Sequence, residues 1–118
     1  MLKPGYVKHG VNYHGHITCI HHFICDNNEV GQFRIAYLKD CYWIYDFYIK
    51  PKYRGFGFAQ KMLQECINTF NNKPLMCYGF DNAQLLHIAQ KHNFKIVTIE
   101  YCGHKRTIRR YHMRREVK

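Results

Sequence analysis

The chain has 118 residues, room for one domain with one modest core, and an apolar content of 47% with 16% aromatics excludes a disordered or collagen-like chain. Its formal net charge of +10 favours an anionic partner: a nucleotide cofactor, a nucleic acid or an acidic protein surface. No apolar run approaches the roughly 18 residues that span a bilayer, and Met1-Leu2-Lys3-Pro4-Gly5 lacks the apolar stretch of a secretory signal, so a cytoplasmic protein with no membrane partner is expected.

Residues 15–25 and 30–38 read as strands joined by the turn Asp26-Asn27-Asn28. In the second, Gly31, Phe33, Ile35 and Tyr37 alternate with Gln32 and Arg34. Residues 41–49 are apolar or aromatic on both faces except for Asp46, the pattern of a central strand covered on both sides. Pro51 ends that strand, because proline cannot donate to a ladder. The period then changes. Ala59, Met62, Leu63, Cys66, Ile67 and Phe70 form one apolar stripe at helical spacing, which Asn71-Asn72 and Pro74 terminate. Leu75-Met76-Cys77-Tyr78 is a short strand. Asp81-Asn82 can cap a second helix, where Leu85, Leu86, Ile88 and Ala89 cluster towards one face and Asn93 supplies a left-handed C-cap. Residues 95–102 and 105–114 make a final hairpin turning at Gly103-His104.

Basic residues crowd this end: Lys105, Arg106, Arg109, Arg110, Arg114, Arg115 and Lys118. They suit an anionic partner, or a charged edge strand that resists sheet-to-sheet pairing. The order of elements predicts an α+β fold, a mixed and mostly antiparallel sheet with helices packed on it, in a single domain over residues 1–118. The six cysteines, Cys19, Cys25, Cys41, Cys66, Cys77 and Cys102, contain no Cys-x-x-Cys pair and read as reduced, buried thiols. His14, His16 and His22 would share one face of a strand and Cys19, His21 and Cys25 the other. That split matches no structural zinc pattern, and no metal is expected.

The candidate chemistry lies at Ile49-Lys50-Pro51-Lys52-Tyr53-Arg54-Gly55-Phe56-Gly57-Phe58-Ala59. A strand ends, glycines let the backbone approach a ligand, and an amphipathic helix begins. The first N–H groups of a helix lack intrahelical partners and carry the positive end of its dipole, so this turn suits a pyrophosphate. Lys50, Lys52 and Lys61 add positive charge. Arg54-Gly55-Phe56-Gly57-Phe58 also fits the opening of the octamer of an RNA-recognition module, which would require these residues to form a strand. The helical period from Ala59, and the absence of one over residues 15–49, oppose that alternative.

The turn with its helix resembles the central motif of the GNAT superfamily of N-acetyltransferases, of form (Gln/Arg)-x-x-Gly-x-(Gly/Ala), met by Arg54, Gly57 and Ala59. Residues 82–94 are similar to the family's second cofactor motif, with Asn93-Phe94 in place of Gly-Phe, and Tyr111-His112-Met113 resembles its last strand. The resemblance implies an acetyl-CoA-dependent N-acetyltransferase. It implies that the backbone N–H of Phe47 bonds the thioester carbonyl, that Ile49 and the neighbouring Tyr48 meet the pantetheine arm, that Arg54, Gly55, Phe56, Gly57, Phe58 and Ala59 hold the pyrophosphate, and that Asn82 touches the arm.

The tyrosine that serves many members as acid aligns with Ala89, and the glutamate of some members aligns with Cys77. A coenzyme-A-binding domain without catalysis is therefore the alternative. Asp46, the single charge in its apolar run, is the substitute base, and burial would suit it to take a proton near neutrality. Tyr45 and Tyr48 are the acid candidates. Family members commonly spend about fifty residues on a strand and two helices before the first hairpin, where this chain has about fourteen. The acceptor cleft is therefore expected to be open, or completed by a second copy in a homodimer, and suited to a macromolecular acceptor, protein ahead of nucleic acid.

Overall fold

Asp26 and Asn27 take left-handed φ of 49° and 64°. This closes a two-residue turn between β2 (Thr18–Cys25) and β3 (Asn28–Tyr37), and asparagine and aspartate are the non-glycine residues that tolerate such φ best. The computed structural model describes residues 1–8, 15–80 and 83–117. Its order continues with β4 (Tyr42–Ile49), a 3-10 turn (Pro51–Tyr53), α1 (Phe58–Thr69), β5 (Leu75–Phe80), α2 (Ala83–Lys91), β6 (Lys95–Cys102), a second 3-10 turn (His104–Arg106) and β7 (Ile108–Arg115). A strand not expected from the sequence, β1 (Leu2–Lys8), pairs antiparallel with β2. Its Pro4 and Gly5 obscure any strand pattern, and β1 tolerates the proline because it is an edge, where a missing N–H costs no ladder bond.

The seven strands form one sheet in the order β1-β2-β3-β4-β5-β7-β6. Among the described residues only β4 and β5 are parallel neighbours, joined through α1; the other pairings are antiparallel. This is the mixed α+β sheet expected. Met62, Leu63, Cys66 and Ile67 on the inner stripe of α1 are buried, each side chain of this size contributing about 1.5–3 kcal/mol. They pack with Phe33, Ile35, Ile44, Leu75, Cys77 and Met113 from the sheet and Ala89 from α2 in one core. Asn93, at φ 69°, ends α2 as the sequence predicts, and the N–H of Phe94 turns back to the carbonyl of Ala89 at 3.0 Å. The cysteines are unpaired, with Cys19, Cys66 and Cys77 buried and the other three half-buried.

Two expectations are corrected. Residues 41–49 were expected to be covered on both faces. Among the described residues both helices share one core on one face of the sheet, and Trp43 and Tyr45, flanking the buried Ile44, point to the other. The basic C-terminal strand is also not an edge, since β7 lies between β5 and β6, and the edge is the largely apolar β6.

His21 is an exception in the core. It is 6% exposed, stacks on Phe33 at 5.4 Å and meets the edge of Phe70 at 5.1 Å. Neither ring nitrogen has a hydrogen-bond partner among the described residues. Burial, helped by the neighbouring His22, pushes its pKa below the ordinary 6.5. The unfolded chain therefore takes up this proton at higher pH than the folded one. The contribution is intact above about pH 6.5 and is lost as pH falls from there towards the lowered folded value, at no more than about 1.4 kcal/mol per pH unit. In urea unfolding between pH 7 and pH 5, wild type should lose stability with a steeper slope than His21→Phe. Equal slopes would place the acid sensitivity elsewhere, His92 being the next group held low by burial.

Candidate active site

The centre of the sheet is irregular in two places. Gln32 pairs with Tyr48 and Arg34 with Tyr45, so Asp46 and Phe47 together oppose the single Phe33. This is a β-bulge, and Asp46 absorbs it at φ 52°. Gly31 allows the strands to close again beyond it: a Cβ there would lie 2.5 Å from the Tyr48 carbonyl oxygen and 2.7 Å from Ile49 Cδ1. Parallel pairing between β4 and β5 stops at Ile44 and Cys77, although both strands run on, to Ile49 and Phe80. The sheet is thus split over the last residues of β4, a slot in which an extended ligand arm can run between the two strands.

At the mouth of the split lies the glycine turn. Gly55 and Gly57 have φ of 84° and 82°, which only glycine adopts without strain, and a Cβ at either would meet nothing within 4 Å. Gly57 precedes α1, and the first intrahelical bond runs from Lys61 N–H to Gly57 O. The N–H groups ahead of Lys61 therefore lack intrahelical acceptors, no side chain caps the helix, and its first turn holds no acidic residue. Open space, positive dipole and exposed donors coincide, so these residues fit a pyrophosphate.

Arg54 acts inward. Its Nε donates to the Ile49 carbonyl at 2.8 Å and its guanidinium lies 5.2 Å from the Tyr48 ring centroid, fastening the turn to the end of β4. Lys52 and Lys61 lie over the rings of Tyr53 and Phe58, whereas Lys50 turns away to pair with Glu29 at 3.3 Å.

A groove of about 320 Å³ joins these parts. Of the residues predicted to bind the cofactor, Phe47, Tyr48, Ile49, Arg54, Gly55, Gly57, Phe58 and Ala59 line it. Phe56 does not; its ring is 69% exposed. Asn82 lies outside the described residues. The sequence reading missed Tyr53, and Gln84, Leu85 and Ile88 on one face of α2; their spacing marks a helix face without saying what it meets.

A second groove, of about 370 Å³, opens through the strands and is lined by Ile20, Gln32, Phe33, Arg34, Asp46, Phe47 and Tyr48. Phe47 and Tyr48 border both grooves, so the bulge is the place where they meet. The expected burial of Asp46 is overturned: its side chain is 68% exposed, with Arg34 Nε at 3.5 Å. A left-handed residue in a bulge leaves the alternation that would have turned it inward. Tyr45 is half-buried and Tyr48 is 44% exposed. Ala89 and Cys77 are fully buried, and burial pushes the Cys77 thiol well above its ordinary range, so neither position offers a proton-transfer group.

An anion seat at the end of a split parallel strand pair, with a second groove meeting it at a bulge, is the layout of an acyltransferase that holds an acyl-coenzyme A in one groove and its acceptor in the other. The sequence profile of the acetyltransferase (GNAT) family matches residues 11–94, and the chain belongs to that family. It is thereby an N-acetyltransferase with acetyl-CoA as co-substrate. The RNA-module alternative fails on the same ground, because residues 54–57 form a turn and α1 starts at Phe58.

Solved structures share the fold. A GNAT acetyltransferase from Elizabethkingia anophelis with acetyl-CoA bound has a TM-score of 0.72 at 14% identity, over 99% of this chain and 97% of that one. The ribosomal-protein-S18-alanine N-acetyltransferase of Escherichia coli gives 0.71 at 13%, over 83% and 68%. A spermidine N-acetyltransferase chimera from Vibrio cholerae and hSSAT gives 0.71 at 14%, over 84% and 66%. No curated protein matches at the level of sequence.

Proposed function

We propose that the chain acetylates an amine of a protein, admitted from the sheet face that no helix covers among the described residues. The observation that carries this reading is the meeting of the two grooves at Phe47 and Tyr48. Acetyl-CoA supplies the acetyl group as an activated thioester; the chain supplies position, charge and proton transfer. The amides of residues 55–59 and the dipole of α1 hold the pyrophosphate, while Phe47, Tyr48 and Ile49 hold the pantetheine arm. An N–H at Phe47 directed at the thioester oxygen stabilises negative charge where it develops in the transition state.

On the acceptor side, Asp46 lines the second groove at the bulge; exposed rather than buried, it attracts an ammonium and relays its proton to solvent, since only the neutral amine attacks. Tyr48, which borders both grooves, gives a proton to the leaving sulfur in this reading. Because Ala89 and Cys77 are sealed in the core, this work falls to β4. An open sheet face admits a protein segment as readily as a small molecule, and the formal charge of +10 repels polyamines while drawing acidic protein surfaces.

The test is thiol release from acetyl-CoA with three acceptor classes: peptides carrying a free amine, single-stranded oligonucleotides, and spermidine. Peptides should give kcat/KM at least tenfold above spermidine. Efficient turnover of spermidine alone would overturn the protein acceptor. A rise in Tm with acetyl-CoA but no thiol release from any acceptor would support a binding domain without catalysis.

A further inference from the structure

The far edge of the sheet takes no part in the site described above. Among the described residues β6 bonds β7 on one side only, and seven of its eight residues are exposed. Four of them are large and apolar: Ile96 at 39%, Val97 at 53%, Ile99 at 37% and Tyr101 at 52%. Edge strands are ordinarily shielded by charge, proline or a bulge, because their free N–H and C=O groups template another strand. β6 carries an irregularity between Ile96 and Thr98, but from Thr98 to Cys102 it pairs regularly with β7 and offers a regular outer edge.

The charge behind this edge is strongly one-sided. Residues 91–118 hold nine of the eighteen lysines and arginines but two of the eight acidic residues. β7 alone carries Arg109, Arg110, Arg114 and Arg115, and Arg109 lies 5.9 Å from the Tyr101 ring centroid. A second copy of the chain would bring the same cationic edge against itself. Unpaired strand backbone with an apolar row suits an extended polypeptide better than a nucleic acid, and the cations select an acidic one.

Topology ties this edge to the acyl-transfer site. β6 runs parallel to β4 and β5, so its C-terminal end lies at the same end of the sheet as Ile49 and the start of α1. The β6–β7 hairpin continues to the pair Cys102–Ile108, past Tyr111, which pairs with Phe80 at the end of β5. Three further residues carry it about 10 Å beyond. A strand added at β6 would thus reach the same end of the sheet as the split. Four inter-strand spacings, about 19 Å, separate the added strand from β4, a span that six extended residues cover.

We propose that the outer edge of β6 captures an acidic, extended segment of the acceptor protein as an eighth strand, placing an amine some six residues away within reach of the β4 bulge. The proposal rests on the protein-acceptor reading. The probe is a fluorescein-labelled peptide of alternating glutamate and valine preceded by six glycine and serine residues with a free N-terminal amine, followed by fluorescence anisotropy. The same peptide N-methylated at every backbone nitrogen of the glutamate–valine segment keeps its charge but has no N–H on either edge with which to pair as a strand.

N-methylation should weaken binding at least tenfold. The double variant Arg109→Glu, Arg110→Glu should do the same while leaving acetyl-CoA affinity within twofold of wild type. Equal binding of the two peptides, tighter binding of a twelve-nucleotide single-stranded DNA, or a dimer by light scattering that the Ile99→Lys variant dissolves would overturn the proposal. If unrelated peptides are acetylated but β6 variants and N-methylation change nothing, this inference falls and the protein acceptor stands. If the acidic peptide binds at β6 yet no peptide is acetylated, the acceptor reading falls and the surface remains.

Discussion

Gly57→Val should abolish useful binding of acetyl-CoA while leaving a folded protein. Gly57 sits at φ 82° immediately before α1. A left-handed backbone costs an L-residue about 1–2 kcal/mol, and a β-branched side chain is among the least tolerant of it. The chain has two outcomes. It keeps the turn and bears the strain, with a fall in Tm of the order of 5–10 °C. Alternatively it relaxes to negative φ and turns the N–H groups ahead of Lys61 away from the groove. In either case the open space at Gly57 is filled where the pyrophosphate would lie.

We expect affinity to drop at least about 100-fold. The readout follows from linkage. Acetyl-CoA at a hundred times the wild-type Kd stabilises wild type by about 2.7 kcal/mol, but a variant bound a hundredfold more weakly by only about 0.4 kcal/mol. The ligand-dependent rise in Tm should therefore nearly vanish. An undiminished rise would move the cofactor site away from this turn.

The turn was legible in the sequence because everything that makes it is local. Gly55 and Gly57 stand between a strand that stops before Pro51 and a helix whose stripe runs from Ala59 to Phe70. The bulge was not legible, because it belongs to two strands: only the pairing of Gln32 with Tyr48 and Arg34 with Tyr45 shows that β4 has a residue to spare. Asp46 in an apolar run reads as a buried charge until that count is made. In retrospect aspartate was a hint, as one of the few residues that accept positive φ.

The same limit hid the edge. Basic β7 and apolar β6 look alike as halves of a hairpin, and which one joins β5 is decided by the crossover from α2, not by either strand's composition. Local signals located the cofactor groove; register and strand order located the second groove and the free edge.

Asp46→Asn should cut kcat at least about 100-fold and leave acetyl-CoA affinity within twofold of wild type. General bases contribute about 10² to 10⁴ in rate, and the lower end fits a carboxylate that is 68% exposed. Asparagine is the appropriate replacement on two counts. It is close in shape, and it tolerates the φ of 52° that holds the bulge. The geometry at Phe47 should therefore survive, and a rate loss reports on the carboxylate alone.

Arg34→Ala provides the contrast. It removes the partner at 3.5 Å but keeps the carboxylate, so kcat should stay within about tenfold of wild type and well above that of Asp46→Asn. A carboxylate that served only to draw in a cationic acceptor would show itself as a raised KM with kcat intact. If Asp46→Asn turns over at the wild-type rate, proton removal does not pass through this residue, and the bulge would act by positioning the thioester and admitting water as the base.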